Sequence, residues 1–146
     1  MSAPVSVIID RKGADCETIG PDASLAEVTR RLTERGIGAL VVSADGVTVD
    51  GIISERDVVR TMAHTGAEAL TRTVAEVMSA PVTTCTLSTS TDEVMAIMTD
   101  RRIRHLPVVE DGCLAGIVSI GDVVKWRIDE LQQDAERLQE YVQGRY

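Results

Sequence analysis

Two Ser-x-x-Asp segments have residue types and spacing that suit a binding or catalytic site. They run from Ser54 to Asp57 and from Ser119 to Asp122, each after a short apolar run that begins with glycine. Each segment alone predicts a helix cap, because serine accepts from first-turn amides and an acid suits the positive end of the helix dipole. The same geometry also suits a ribose phosphate, since helix amides and a hydroxyl hold an anion while a carboxylate accepts from two adjacent hydroxyls. The preceding glycine admits a close backbone approach.

A basic cluster lies near the second of these segments. Residues 101–105 read RRIRH in a chain whose formal charge is -8, and they either bind a phosphate or form a solvated helix end. The matching residues 35–39 read RGIGA and carry far less charge. The two sites are therefore expected to differ. Arg56 either compensates in the first site or is a surface arginine beside Glu55.

The two segments belong to an internal duplication. The block at 51–59, GIISERDVV, returns at 116–124 as GIVSIGDVV. A shift of 66 residues aligns the preceding positions, and beyond the Asp45-Gly46 and Asp111-Gly112 turns the shift becomes 65. Residues matched by the 66-residue shift include Thr18 with Thr84, Ser24 with Ser90, Glu27 with Glu93, Ile37 with Ile103 and Leu40 with Leu106. Two copies of one supersecondary unit therefore make the chain.

The duplicated unit has the predicted order β-α-β-β-α. Its expected elements are strands near 17–19 and 83–85, helices capped by Ser24 and Ser90 in S-x-x-E capping boxes, strands 39–42 and 106–109, Asp-Gly hairpin turns, strands 51–53 and 116–118, and helices from Ser54 and Ser119. One unit is too small to bury both faces of its sheet. The predicted fold class is therefore α/β (α+β), with two repeats packed through their sheets.

Amphipathic segments flank the two repeats. A leading helix carries Val5, Ile8 and Ile9 and stops at Gly13. The tail has apolar residues spaced 4, 3, 4, 3, 4, namely Val124, Ile128, Leu131, Ala135, Leu138 and Val142. This coiled-coil-like seam favours dimerisation and folding back on its own module about equally. The expected organisation is 3–65 for repeat 1 with its leading helix, 66–73 for a linker, 74–128 for repeat 2 and 129–146 for a C-terminal helix.

Composition narrows the function classes. The acidic balance disfavours nucleic-acid and anionic-membrane partners. The three cysteines, Cys16, Cys85 and Cys113, show no C-x-x-C spacing and fall in stretches typical of strands, so we interpret them as reduced packing residues. Neither a metal-ligand pattern nor a signal peptide nor a membrane-spanning run is evident. A cytoplasmic protein is expected.

The duplicated G-I-[IV]-S-x-x-D-V-V block and the run Arg104-His105-Leu106-Pro107-Val108-Val109 resemble tandem cystathionine-β-synthase (CBS) domains, the Bateman module. The whole chain resembles small stand-alone bacterial CBS-pair proteins. The resemblance implies adenine nucleotides such as AMP, ATP, NAD(H) or S-adenosylmethionine bound between the repeats, with no required cofactor. Asp57 and Asp122 match the acid that holds ribose hydroxyls, and Ser54 and Ser119 match the hydroxyl residue near the phosphate.

The remaining ligand residues that the resemblance implies lie on the strands. Arg104 and His105 match a phosphate-facing basic pair, which Gly38 and Ala39 replace in the first copy. The backbone at Leu106 and Pro107 matches the segment that lines the base, and Thr18 and Thr84 match the strand that closes over the nucleotide. The second site is therefore the one expected to bind a phosphate-rich ligand.

Three classes of function compete. The leading one is a non-catalytic regulatory module that binds an adenine nucleotide, forms a homodimer and acts on an effector protein in trans. A structural dimer or partner-interaction protein without ligand is the alternative. Catalysis has little support, because Ser54, Asp57 and His105 lack the strand-to-helix elbow of a G-x-S-x-G nucleophile.

Overall fold

Helices and short strands make up residues 2–144, the part of the chain that the computed structural model describes. In chain order the elements are α1 (Val5–Lys12), β1 (Thr18–Ile19), α2 (Leu25–Arg35), β2 (Ala39–Val42), β3 (Gly51–Ser54), α3 (Glu55–Thr65), a 3-10 helix (Gly66–Thr71), α4 (Val74–Val77), α5 (Thr91–Arg101), β4 (His105–Glu110), β5 (Cys113–Ser119) and α6 (Ile120–Val142). This mixed architecture confirms the predicted fold class.

Repeat 1 contains a three-stranded sheet in the order β1-β2-β3. β1 pairs with β2 in parallel, and β2 pairs with β3 in antiparallel register, with Ala39 opposite Ser54. The apolar face of α2, with Leu25, Val28 and Leu32, is buried in the same cluster as residues of this sheet. At the start of α2, Ser24 accepts from the amide of Glu27, but the Glu27 carboxylate lies 3.5 Å from Arg30 rather than closing the predicted capping box.

Repeat 2 contains the antiparallel pair β4-β5, with His105 opposite Ser119. The predicted strand 83–85 is reduced to an isolated parallel bridge between Cys85 and Val108. This bridge lies in repeat 2 where β1 lies in repeat 1, because both are parallel pairings to the strand that follows the helix.

The two Asp-Gly turns differ. Asp111 and Gly112 have φ values of 51° and 77° and form the predicted tight turn between β4 and β5. In repeat 1 the prediction of a hairpin turn is wrong, because β2 ends at Val42 and β3 begins only at Gly51. The Asp45 carboxylate organises this longer loop by accepting from backbone amides at 47 and 48, and these bonds lower its pKa to about 2.

The leading helix α1 packs into the core of repeat 2. Val5, Ile8 and Ile9 are buried there, beside Leu106 and Val118 of the β4-β5 pair. Backbone bonds fix the start of the helix, since the amide of Val5 donates to the carbonyl of residue 89 over 2.8 Å. The amphipathic pattern predicted that α1 is buried, and the structure shows that its partner is the more distant repeat.

The segment between the repeats packs onto repeat 1. Residues 64 and 65 continue α3, and the linker forms the 3-10 helix, in which Ala69 is fully buried. Val74 of α4 is fully buried in the repeat 1 core, and its amide donates to the carbonyl of Ala23 over 2.8 Å. Repeat 1 is therefore completed by residues that follow α3.

The last helix is continuous from Ile120 to Val142, so the predicted second helix of repeat 2 and the C-terminal helix are one element. Its apolar seam is exposed, with 44% of Val124, 69% of Leu138 and 78% of Val142 accessible. Over residues 131–142 the alternative of folding back on its own module is therefore wrong. Residues 145 and 146 of the predicted C-terminal segment lie outside the described residues.

The three cysteines are free, but only one fits the packing interpretation fully. Cys85 is buried in the repeat 2 core. Cys16 is half-buried and lies before β1 rather than in a strand, and Cys113 is exposed at the start of β5. Burial raises the pKa of the Cys16 and Cys85 thiols to about 11. Both thiols therefore remain protonated near neutral pH.

Candidate functional site

Ser54 and Asp57 form a reciprocal cap at the start of α3. The Asp57 Oδ2 atom accepts from the Ser54 amide over 2.8 Å and from the Ser54 hydroxyl over 3.0 Å. The Ser54 Oγ in turn accepts from the Asp57 amide over 3.4 Å. Among the described residues, the second carboxylate oxygen of Asp57 accepts no hydrogen bond. The cap therefore holds the carboxylate in place and leaves one oxygen for an external donor.

Ser119 and Asp122 repeat this cap at the start of α6 and add a cation. The Asp122 Oδ2 accepts from the Ser119 amide over 2.9 Å, and Lys12 Nζ from α1 lies 2.7 Å from the same oxygen. Lys12 Nζ also donates to the carbonyl of Ile117 over 2.9 Å. Burial disfavours the charged form of Asp122, but the bonds from Lys12 and Ser119 outweigh it and lower the carboxyl pKa.

His105 joins the two repeats at the ends of their strands. A Cβ atom placed on Gly38 would lie 3.3 Å from His105 Cε1, so the glycine makes room for the ring. The carbonyl of Gly38 accepts from the amide of Glu55, and the carbonyl of Arg104 accepts from the amide of Ile120 in the equivalent place. Burial is the main cause that lowers the His105 pKa, although the nearby charges of Glu55 and Asp122 oppose it. The ring is therefore neutral near pH 7.

Arg56 also crosses between the repeats. Its Nη1 donates over 3.1 Å to the carbonyl of Arg102, the residue that ends α5 with a φ of 54°. This bond satisfies an end carbonyl that has no partner within α5. Arg56 therefore caps a helix of repeat 2, a contact that neither sequence interpretation of this residue included.

The structure brings together some of the predicted site residues and separates others. Cross-strand pairing places His105 beside Ser119, as it places Ala39 beside Ser54, while Arg104 is exposed next to His105. Leu106 and Pro107, predicted to line the base through their backbone, are buried, and the Pro107 carbonyl accepts from the amide of Cys85.

The two predicted threonines lie in or beside the strand and the bridge at the start of each repeat. Thr18 is in β1 opposite Val41, and Thr84 is exposed just before the Cys85 bridge. Within residues 2–144 no hydrogen bond joins either hydroxyl to the Ser-x-x-Asp groups.

The glycines that precede the two Ser-x-x-Asp segments were predicted to let a ligand approach the backbone. In the structure, other residues of the chain itself pack closely against them. A Cβ atom on Gly51 would lie 2.7 Å from Met78 Sδ and 2.9 Å from the Ser79 carbonyl oxygen. A Cβ atom on Gly116 would lie 2.9 Å from Ile9 Cδ1. The glycines of the duplicated block therefore serve internal packing, and this part of the ligand interpretation is corrected.

Lys12 is the site residue that sequence reasoning missed. It ends α1, and Gly13 follows with a φ of 95°. A basic residue at a helix end is ordinary, because it complements the helix dipole. The sequence signal was therefore too weak to pair Lys12 with an aspartate 110 residues away.

Two pockets lie near the residues of the two caps. A cleft of about 110 Å³ between α1 and α6 is lined by Lys12, Asp122 and Trp126. A larger pocket of about 540 Å³ lies between α2 and α3, and Gly38 and Glu55 are among the residues that line it. Small-molecule pockets usually have volumes of roughly 300–1,000 Å³, so the cleft beside Asp122 is smaller than a typical ligand pocket.

The duplicated architecture, with matching caps at corresponding strand ends, agrees with one family. The model of the CBS domain matches residues 6–64 and again residues 74–129. The chain belongs to the CBS domain family. CBS-pair proteins are generally regulatory modules rather than enzymes.

Known CBS proteins resemble the chain in sequence and in structure. A mitochondrial CBS domain-containing protein of Arabidopsis thaliana, CBSX3, is 36% identical over 129 residues, which cover 86% of this chain and 63% of that protein. A crystal structure of a CBS-domain protein from Agrobacterium tumefaciens is 48% identical, with a TM-score of 0.83 over 87% of this chain and 95% of that one. The chain thus spans less than two thirds of CBSX3 and nearly all of the Agrobacterium structure.

A third structure shares the fold at lower identity. It is the CBS domain pair of protein MJ0100, solved in complex with 5′-methylthioadenosine and S-adenosyl-L-methionine. It is 23% identical to this chain, with a TM-score of 0.77 over 89% of this chain and 98% of that pair.

None of the helices in residues 2–144 combines the length and the apolar character that crossing a bilayer requires.

Proposed function

We propose that this chain is a regulatory module that binds an adenine nucleotide in the clefts between its two CBS repeats. The observation that carries the proposal is the duplicated cap, in which Asp57 and Asp122 are each held by a serine at a helix start. Two vicinal ribose hydroxyls need a fixed carboxylate as acceptor, and a phosphate needs the first-turn amides nearby. Both groups occur together at each site.

The relatives support the same ligand class. The MJ0100 pair was solved with two adenosine derivatives, and it shares the fold of this chain. AMP, ATP and NAD(H) also contain adenosine with a free ribose diol or a phosphate that fits these groups. His105 supports a site near Asp122, since its ring lies at the junction of the repeats and beside Ser119.

The module regulates because its ligand binds one arrangement of the repeats or subunits more tightly than another. A ligand shifts such an equilibrium only by the difference in its affinity for the two arrangements, typically about 1–3 kcal/mol. The exposed apolar seam of α6 favours a homodimer as one subunit arrangement. An effector protein in trans would then read the state of the dimer.

Calorimetric titration tests the ligand. Protein stripped of small molecules is titrated with AMP, ATP, NAD, NADH and S-adenosylmethionine, alongside Asp57→Asn and Asp122→Asn. Asparagine keeps the size of the side chain and an oxygen for the cap, so the variants remove mainly the acceptor charge. We expect at least one nucleotide to bind and one variant to weaken it about tenfold or more. Unchanged affinity in both variants would refute the ribose assignment.

The exposed seam also favours the second candidate, a structural dimer that interacts with partners and binds no ligand. Leu138 and Val142 are the most exposed apolar residues of the seam. This candidate predicts no heat in the whole titration panel. Light scattering of the full chain and of a chain ending at Leu131 measures whether the seam holds the dimer. An unchanged mass after truncation would assign the dimer contact to the repeat faces.

The structure gives no support to catalysis by Ser54, Asp57 and His105. The Ser54 hydroxyl donates to Asp57, which makes it part of a helix cap rather than a nucleophile activated by the histidine. Turnover of a nucleotide by purified protein, lost in Ser54→Ala, would reverse this assignment.

A further inference from the structure

We propose that Lys12 is a latch on the second nucleotide site, so that a ligand reaches Asp122 only by displacing the lysine ammonium. This inference rests on the proposed function and adds a regulatory element to it. The latch consists of one side chain at the end of α1 and two acceptors in repeat 2.

One of the two contacts of Lys12 is with the carboxylate that the proposed function assigns to the ribose. Its Nζ lies 2.7 Å from Asp122 Oδ2 and 2.9 Å from the carbonyl oxygen of Ile117. The side chains of Lys12 and Asp122 are only 30% and 25% exposed, so the pair is partly shielded from water. Within residues 2–144 the second oxygen of Asp122 accepts no hydrogen bond, but the ammonium beside it neutralises the carboxylate, and the lysine side chain lines the same small cleft.

The end of α1 is held in position by a second charged contact. Arg11 Nη1 lies 3.3 Å from Asp129 Oδ2, and its guanidinium lies 4.6 Å from the centre of the Trp126 ring. These contacts fix the last turn of α1 against α6 and direct Lys12 toward Asp122. The cleft between the two helices has a volume of about 110 Å³ while the latch is closed.

Opening the latch does not require α1 to leave the fold. Val5, Ile8 and Ile9 are 0%, 4% and 6% exposed and anchor the helix in the core of repeat 2. Lys12 has a long flexible stem and ends the helix, so its ammonium can swing into water by rotation of the side chain alone. The exchange replaces one partly exposed ion pair by ligand contacts.

Among the described residues, no cation bonds to the carboxylate of the first site. Within residues 2–144, the hydrogen bonds to the Asp57 carboxylate come from Ser54 alone. The two sites therefore differ in access as well as in their basic residues. The sequence favours the second site for phosphate binding, while the latch gives the first site the advantage at low ligand concentration.

Titration of Lys12→Met with adenosine and AMP tests the latch. Methionine keeps most of the stem and removes the ammonium. Lys125→Met is the matched control. Lys125 lines the same cleft without a bond to Asp122, so its substitution removes the same charge and leaves the latch in place. Neutral adenosine separates the latch from the general attraction of an anion, and thermal unfolding checks that each variant is folded.

We expect Lys12→Met to bind adenosine roughly fivefold more tightly than Lys125→Met at a site that Asp122→Asn abolishes, since a partly exposed pair contributes up to about 1 kcal/mol. Binding by Lys12→Met alone would also support the latch. Equal affinity in the two lysine variants, or weaker binding in Lys12→Met, would overturn the latch and leave the proposed function intact. No binding of either probe to any variant would overturn the latch, and no heat from the full nucleotide panel would overturn the proposed function as well.

Discussion

Truncation of Ile8 in α1 should destabilise repeat 2, although α1 precedes repeat 1 in the chain. The side chain is 4% exposed and belongs to the cluster that contains Leu106 and Val118. Ile8→Ala removes three buried carbon atoms, which at about 0.8 kcal/mol each correspond to about 2.4 kcal/mol of lost transfer free energy. The cavity that remains adds to this loss, so we expect the free energy of unfolding to fall by about 2–4 kcal/mol.

Urea unfolding measures this loss with two probes. The chain has a single tryptophan, Trp126, which packs against the same cluster as Ile8, so its fluorescence reports on repeat 2. Far-UV circular dichroism reports on the whole chain. Val7→Ala is the matched control in the same helix, because Val7 is only half-buried and should cost less than about 1 kcal/mol. A loss for Ile8→Ala within about 0.5 kcal/mol of the control would refute the placement of α1 in this core.

Two further predictions concern close packing and pH. Gly51→Ala should lower the free energy of unfolding in urea by about 1–3 kcal/mol, because the new methyl would lie 2.9 Å from the Ser79 carbonyl oxygen. The control Gly121→Ala, whose methyl has its nearest atom 3.6 Å away, should be neutral or stabilising. Equal losses of stability in the two variants would contradict the contact at Gly51. Burial lowers the pKa of His105 in the folded state. The neutral ring therefore stabilises the fold fully above the pKa of the unfolded chain, near 6.5, and this stabilisation is lost as the pH falls toward the pKa of the folded state. His105→Gln should therefore flatten the decline in melting temperature on acidification below about pH 6.5, and an unchanged decline would count against this burial.

The parts of the fold that the sequence predicted are local ones. The caps at Ser54 and Ser119 depend on residues three positions apart, and the Asp111-Gly112 turn depends on two adjacent residues. Internal repetition then made each local pattern visible twice. The identity of the duplicated unit followed from the same short blocks.

The parts that the sequence left open depend on contacts between distant segments. An apolar stripe on α1 indicates that Ile8 is buried but not which repeat receives it. The Lys12 contact with Asp122 spans 110 residues, and the Arg56 contact with Arg102 spans 46. The β2-β3 connection differs from its copy because Asp45 organises a longer loop, which a shared Asp-Gly pair does not reveal.

The placement of α1 also has a consequence for synthesis of the chain on the ribosome. Repeat 1 has its whole core once Met78 has emerged, whereas α1 must wait for core residues as late as Val123. At roughly 5–20 residues per second, the apolar face of α1 stays without its partner for several seconds. A chaperone or a temporary contact with repeat 1 would protect that face, and a bulky fusion at the amino terminus would impair the maturation of the half of the protein made last.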